Sequence, residues 1–436
     1  MKNLKKSSKK KSSWEKYHLN SIDELKGKNN NEKFEAASKI FSYLKENGVL
    51  MRKTAGAAAC KMPVYNIEGT ELNKTLMFGS NNYLGLANDP IVIQETIDAI
   101  KKFGIGCGGP PLANGYTILH EELENKLAKL KGCEAAILFS SGYAANVGWV
   151  GALLDKNDYL VYDILSHASL YDGIKMAKGD AISFAHNDLN DLEKKLKSIR
   201  EKNKKANIIV CVESIFSMDG DLALLPETKK ICTKYEALLF VDDAHGTGVL
   251  GEQGHGVQEH FKMKGEIDII MGTFSKTFGV AGGFICGSKK MINYLRGFSR
   301  SYLFSGSIAI SVVASVLAGI NFINKNPGRV LQLKKNTSYF LKNIKEIGYD
   351  VKTESAIIPI FLPAHISLPK VIKRLHEEGI FVNGIFFPIV PKNKQRLRFS
   401  MMATFKKEDL DFAISKIEKI TEELGILSNE NIRAAI

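Results

Sequence analysis

The chain has 436 residues, 44% hydrophobic and 25% charged, the composition of an ordinary globular protein with length for about three domains and a large core. No apolar run approaches the roughly 18 residues of a spanning helix, so no transmembrane segment is expected. Six scattered cysteines without a C-x-x-C pair argue against a disulfide framework or a zinc site, so no metal is expected either.

The net charge is +13, and nearly half of that excess sits in residues 1–14, which hold six lysines and no acid. This tail lacks the apolar core of a signal peptide. It reads as a solubilising arm, or as an electrostatic arm for an acidic partner or anionic lipid, which leaves peripheral membrane contact open. Base-stacking aromatics are not interleaved with the basic residues, so nucleic acid is not an expected partner. Four of the cysteines lie in or beside apolar runs, as reduced thiols of a cytoplasmic protein do.

Residues 20–50 predict an amphipathic helical arm. From about 85 to 305 short apolar runs alternate with helical stretches. Strands are predicted at 135–139, 159–162, 208–212, 238–241, 267–271 and 283–286, with helices at 121–130, 144–154, 189–202 and 226–235 between them. Near-continuous apolar strands separated by helices predict an α/β domain, a mostly parallel sheet covered on both faces. A long helical pair occupies 308–346. Three further strands, at 357–362, 380–383 and 397–401, with helices at 368–378 and 407–424, predict a smaller α+β domain. The expected division is 1–60 (tail and helical arm), 61–310 (large domain) and 311–436 (linker helix and small domain).

In an open parallel sheet, ligands bind outside the carboxyl ends of the strands. The residues just beyond each predicted strand are therefore informative. After 135–139 come Ser140, Ser141 and Gly142, a tight turn opening a helix whose free amides suit a phosphate. After 159–162 come Asp163 and His167. After 208–212 come Glu213 and Ser217. After 238–241 come Asp242, Asp243 and His245, and two carboxylates at a buried strand end are costly unless a cation or protonated ring meets them. After 267–271 come Gly272, Thr273 and Lys276. A lysine has an ordinary pKa of about 10.4, but one desolvated at a strand end is shifted down and made nucleophilic. Lysine, acid, imidazole and phosphate turn on one rim are what pyridoxal 5′-phosphate requires. Residues Gly104, Gly106 and Gly109 match G-x-G-x-x-G, yet a helical stretch precedes them and Pro110-Pro111 comes next, so dinucleotide binding is not expected there.

The segments FGSNNYLGL (78–86), NGYTILHEELE (114–124), SGYAAN (141–146), FSMDGD (216–221), VDDAHGTG (241–248) and GTFSK (272–276) resemble the α-oxoamine synthases over roughly residues 45–425. These are fold-type I pyridoxal-phosphate enzymes that join an amino acid to an acyl thioester with loss of carbon dioxide. The resemblance implies a role for each matching position. Lys276 binds the cofactor aldehyde and later moves a proton. Asp242 pairs with the ring nitrogen, His245 with the ring 3-oxygen, and His167 stacks on the ring. Ser141, Gly142, Tyr143 and Thr273 hold the phosphate, and Ser217 lies near the ring. Ser305, in YLFSGS (302–307), is implied as a phosphate contact from the neighbouring subunit of a homodimer, with the active site at the subunit interface. Asn82 and Arg398 are implied at the substrate, where a guanidinium suits a carboxylate.

The implied reaction is a decarboxylating Claisen condensation. Lys276 removes the α-proton, the carbon nucleophile attacks the thioester of acyl-CoA or acyl-carrier protein, and loss of carbon dioxide and reprotonation give an α-amino ketone. The runs IIPIF (357–361), IFVN (380–383) and RFSMMAT (398–404) are closest to the members that use L-serine and a long-chain acyl-CoA. Alanine with a pimeloyl thioester and glycine with acetyl-CoA are the alternatives. Where many relatives carry Gly-Ser-Arg, this chain has Gly109-Pro110-Pro111, two stiff residues in place of a donor and a cation. A regulatory subunit without cofactor is argued against by Lys276, whereas a basic binding module on the same fold would be marked by salt-dependent nucleic-acid binding without cofactor.

Overall fold

A computed structural model describes residues 27–427, apart from 67, 388 and 392. The lysine-rich tail and the first part of the predicted helical arm lie outside the described residues. The arm begins at Asn30–Glu46, opened by a capping box in which Asn29 and Glu32 satisfy each other's amides.

The centre is a seven-stranded sheet. Across it lie, in order, Ala135–Phe139, Gly283–Gly287, Ile269–Thr273, Leu238–Asp242, Ile208–Glu213, Tyr159–Asp163 and Asp180–Phe184. Gly283–Gly287 runs antiparallel to both neighbours. The remaining pairs are parallel, so six strands point one way and their carboxyl ends share an edge. The register aligns those ends: Glu213 is opposite Asp242, Asp242 opposite Met271, and Gly283 opposite both Thr273 and Phe139. Ile208–Glu213 and Ile269–Thr273 are buried throughout, as strands covered on both faces must be.

Several strands differ from the sequence reading. The strand predicted at 267–271 is Ile269–Thr273, because Asp268 is used to accept Leu239 N–H and the Lys229 ammonium. The strand Asp180–Phe184 has no counterpart among the predicted elements; it is the sheet edge and fully buries only Phe184, so its sequence carries no apolar run. The run predicted as one strand at 380–383 is split. Ile380–Phe381 pairs with Glu71–Met77, and Asn383–Ile385 pairs with Arg396–Ser400.

Arg396–Ser400 is the centre of a small antiparallel sheet, between Ile357–Phe361 and Asn383–Ile385. The hairpin Lys61–Tyr65 and Glu71–Met77 hydrogen-bonds to Ile380–Phe381, so a segment expected with the large domain joins the C-terminal elements. Phe78, next after that hairpin, packs on Phe340, Phe399 and Phe405 with ring centroids 5.4, 5.4 and 4.5 Å away. Helices Ile310–Lys325 and Pro327–Ile347 link the two regions, the first mostly apolar with ten of its 16 residues buried. Among the described residues no helix is long and apolar enough to cross a membrane.

Candidate active site

At the shared carboxyl edge lies a cavity of about 240 Å³. Ser141, Gly142, Tyr143, His167, Ser217, Asp242, His245, Thr273 and Lys276, all singled out in the sequence, line it. Asn146, Ser169, Glu213 and Ser275 line it as well.

Lys276 lies three residues beyond the strand Ile269–Thr273, inside a loop closed by Phe274 N–H donating to Gly282 O. Burial lowers its ammonium from an ordinary 10.5 to about 8, against the Asp242 and Glu213 carboxylates, which raise it. The amine is thus poised to lose its proton near neutral pH.

Asp242 ends its strand and is 7% exposed. Its two oxygens are oriented separately, Oδ1 by Ala244 N–H at 3.0 Å and Oδ2 by the Asn146 amide at 2.9 Å. Asn146 is itself fixed, donating to Ser169 Oγ at 2.9 Å and accepting Trp149 Nε1–H at 3.1 Å. Glu213 ends the neighbouring strand. Burial and the adjacent Asp242 push its carboxyl well above the usual range, and its buried Oε1 has no partner.

Two imidazoles are held neutral. Burial, then the charges of Lys276 and Arg398, push His245 well below the usual value, and its Nδ1 meets Tyr83 Oη at 2.7 Å. Burial lowers His167 as well, partly opposed by Asp242; its Nδ1 lies 2.8 Å from Ser169 Oγ. Burial in turn raises the Tyr83 phenol to about 12.

The opposite wall is the start of helix Gly142–Leu153, capped by Ser141 Oγ accepting Ala144 N–H at 3.0 Å. Its first amides have no intrahelical acceptor and carry the positive end of the helix dipole. It packs tightly where it meets the sheet. A Cβ on Gly142 would lie 3.0 Å from Thr273, and one on Gly283 would lie 2.7 Å from Gly142 N. Tyr143 offers its backbone alone, since its phenol donates to Asp172 at 2.9 Å.

The other expected residues lie apart from this cavity. Arg398 reaches the edge from the small sheet, donating Nε–H to Ser217 O at 2.6 Å and Nη1–H to Asn81 Oδ1 at 3.0 Å. Asn82 is 4% exposed and ties loops together, donating to Ala58 O and accepting Ala87 N–H. Its neighbour Asn81 is the one that meets Arg398. Ser305 lines a separate small cleft with Pro111, Tyr116 and Ser301. Asn146, Ser169 and Tyr83 escaped the sequence reading as site residues. Asn146 and Tyr83 stand inside the quoted motifs but carry no charge to draw attention.

The unpartnered Glu213 oxygen, the tight glycine cradle at a helix start and the amine lowered to about 8 together fit a phosphorylated pyridine aldehyde. Residues 73–417 match the family described as aminotransferase class I and II. The 8-amino-7-oxononanoate synthase of Thermoanaerobacter pseudethanolicus is 40% identical over 385 residues, 88% of this chain and 96% of that protein. The serine palmitoyltransferase of Sphingobacterium spiritivorum is 40% identical over 381 residues, 86% of this chain and 95% of that one. Among solved structures, a serine palmitoyltransferase from S. paucimobilis with bound PLP–myriocin superposes with a TM-score of 0.85 at 29% identity, covering 92% of this chain and all of that one. The chain belongs to the aminotransferase class I and II family, as a member of its α-oxoamine synthase group.

Proposed function

We propose that the protein is a pyridoxal 5′-phosphate-dependent C-acyltransferase that condenses a small amino acid with an acyl thioester, with loss of carbon dioxide, to an α-amino ketone. The observation that carries this reading is Lys276, its amine lowered to about 8, in one cavity with Asp242, His245 and a free helix start. The cofactor supplies an electron sink for the carbanion formed at the amino-acid Cα.

The chain's own groups supply the rest. Asp242, oriented at both oxygens, would face the ring nitrogen and keep its proton in place. Neutral His245, backed by Tyr83, would meet the ring 3-oxygen, and His167 would cover the ring face. The amides of Ser141, Gly142 and Tyr143, with Thr273, would hold the phosphate. Lys276 would bind the cofactor aldehyde and, with its amine free, would take the α-proton and later return one. Arg398 holds the substrate carboxylate.

We assign L-serine and a long-chain acyl-CoA as substrates. Support comes from the serine palmitoyltransferase relatives and from the TM-score of 0.85 with a serine palmitoyltransferase structure. Alanine with a pimeloyl thioester is the second reading, favoured by relatives such as the synthase 40% identical over 385 residues. CoA release is the test, with serine, alanine or glycine against palmitoyl, pimeloyl or acetyl thioesters. Release with serine and palmitoyl-CoA alone is the expected result, and none with any long chain rejects it.

We also propose a cytoplasmic homodimer in which Ser305 serves the partner's cavity, because within one chain it lies outside its own. Sedimentation should give twice the chain mass, and Ser305→Ala should weaken cofactor binding. The division at residues 60 and 310 is proposed with one amendment, that the hairpin at 61–77 moves with the small domain.

A further inference from the structure

The loop after strand Ile208–Glu213 is held from two sides. On the large-domain side, His186 Nε2 lies 2.8 Å from Asp221 Oδ2, and the His186 ring meets Phe216 edge-on at 4.4 Å. On the other side, two arginines of strand Arg396–Ser400 reach across to it. Residues 396 and 398 share one face of that strand, because side chains alternate. Arg398 donates to Ser217 O at 2.6 Å. Arg396 donates to Met218 O at 2.9 Å and pairs with Asp219 Oδ1 at 2.6 Å.

Arg396 does not face the cavity. It is 2% exposed, lies over the Phe361 ring at 4.3 Å, and spends its Nε–H on Lys394 O. A buried guanidinium is costly unless its charge is met, and Asp219 is the carboxylate that meets it. Three successive loop residues, Ser217 to Asp219, are thereby fixed to one strand of the small sheet. The turn is also closely packed at Gly220, which has φ +77° and where a Cβ would lie 2.5 Å from Ile357 O.

We infer that Arg396 and Asp219 are positioning residues for substrate-carboxylate recognition: their ion pair fixes the Ser217–Asp219 backbone against which the Arg398 guanidinium is braced. The inference rests on the proposed function, in which Arg398 grips the substrate carboxylate. Without the pair, Ser217 O is free to shift. Arg398 then keeps Asn81 and Ser400 as partners but loses the angle set by its Nε contact. Bidentate recognition is sensitive to such a rotation. Specificity for an amino acid over a simple amine is what the pair would protect.

The test uses the full-length, cofactor-loaded protein and its absorbance change on titration with L-serine and L-alanine, and with their carboxylate-free counterparts ethanolamine and ethylamine. Asp219→Asn should weaken amino-acid binding about tenfold, ~1.4 kcal/mol, while leaving amine binding unchanged. Arg396→Lys, which keeps the charge but loses the fork, should fall between wild type and Asp219→Asn. In turnover the defect should appear in KM for the amino acid, with kcat and the KM for the thioester retained. Urea denaturation of Asp219→Asn, whose carboxylate is partly exposed, separates this from a folding defect. An unchanged amino-acid to amine ratio, or equal weakening of both, overturns the inference while leaving the functional reading intact. A wild-type protein that responds to neither amino acid removes the functional reading and the inference with it.

Discussion

Lys276 shows how environment sets chemistry at a single atom. Desolvation lowers its amine from an ordinary 10.5 to about 8, so the unprotonated form becomes abundant close to neutral pH. In the protein freed of cofactor, the rate at which Lys276 traps an aldehyde should rise with pH and be half-maximal near pH 8, read from absorbance growth on mixing with pyridoxal phosphate. Lys276→Ala should give no such adduct and no turnover. His186 is shifted the other way. Burial lowers it, but hydrogen bonds to Asp163 and Asp221 win and raise it to about 10. A raised folded pKa contributes stability that is complete below the unfolded value near 6.5 and is lost as pH rises through about 10. The difference in urea midpoint between wild type and His186→Gln should therefore be largest near pH 6 and shrink steadily towards pH 10. Asn146 supports Asp242, Ser169 and Trp149 at once. Asn146→Ala should cost about 1–3 kcal/mol in urea denaturation, because it leaves buried partners unsatisfied.

Among the elements, the start of helix Gly142–Leu153 is constrained by backbone packed directly against it. Gly283, on the neighbouring antiparallel strand, leaves no space for a side chain against the Gly142 backbone. Backbone cannot swing aside as a flexible side chain can, so Gly283→Ala should push the helix start off its place. We expect cofactor affinity to fall more than tenfold while far-ultraviolet circular dichroism is retained, measured by titrating the cofactor-free variant. The same strand shows why the phosphate site is only half legible in the sequence. The turn at 140–142 carries the visible signal, whereas the space that makes the turn usable comes from a glycine some 140 residues later. The edge strand Asp180–Phe184 is hidden for the opposite reason, as it buries too little to imprint a pattern.

For the whole molecule, the small domain is tied to the large one by the Phe78 cluster and by the grip of Arg396 and Arg398 on the 217–219 loop. Phe78 is fully buried among Phe340, Phe399 and Phe405, so Phe78→Ala should destabilise the fold by about 3–5 kcal/mol, seen as a lower urea midpoint. The sequence by itself determined which strand ends of the large domain carry its chemistry. Apolar runs ending in Glu213, Asp242 and Thr273 can be read directly, because buried parallel strands are continuous hydrophobic segments with polar residues only at their ends. It also carried Lys276, His167, His245 and Arg398, each a charged or titratable residue in or beside a strand. Only the tertiary structure decided which residues support them. Asn146 beneath Asp242, Tyr83 behind His245, Asn81 rather than Asn82 against Arg398, and the hairpin at 61–77 beside Ile380–Phe381 all depend on contacts between segments far apart in the chain. Neutral hydrogen-bonding residues and short paired strands leave no periodic trace in a sequence; their partners exist only once the chain has folded.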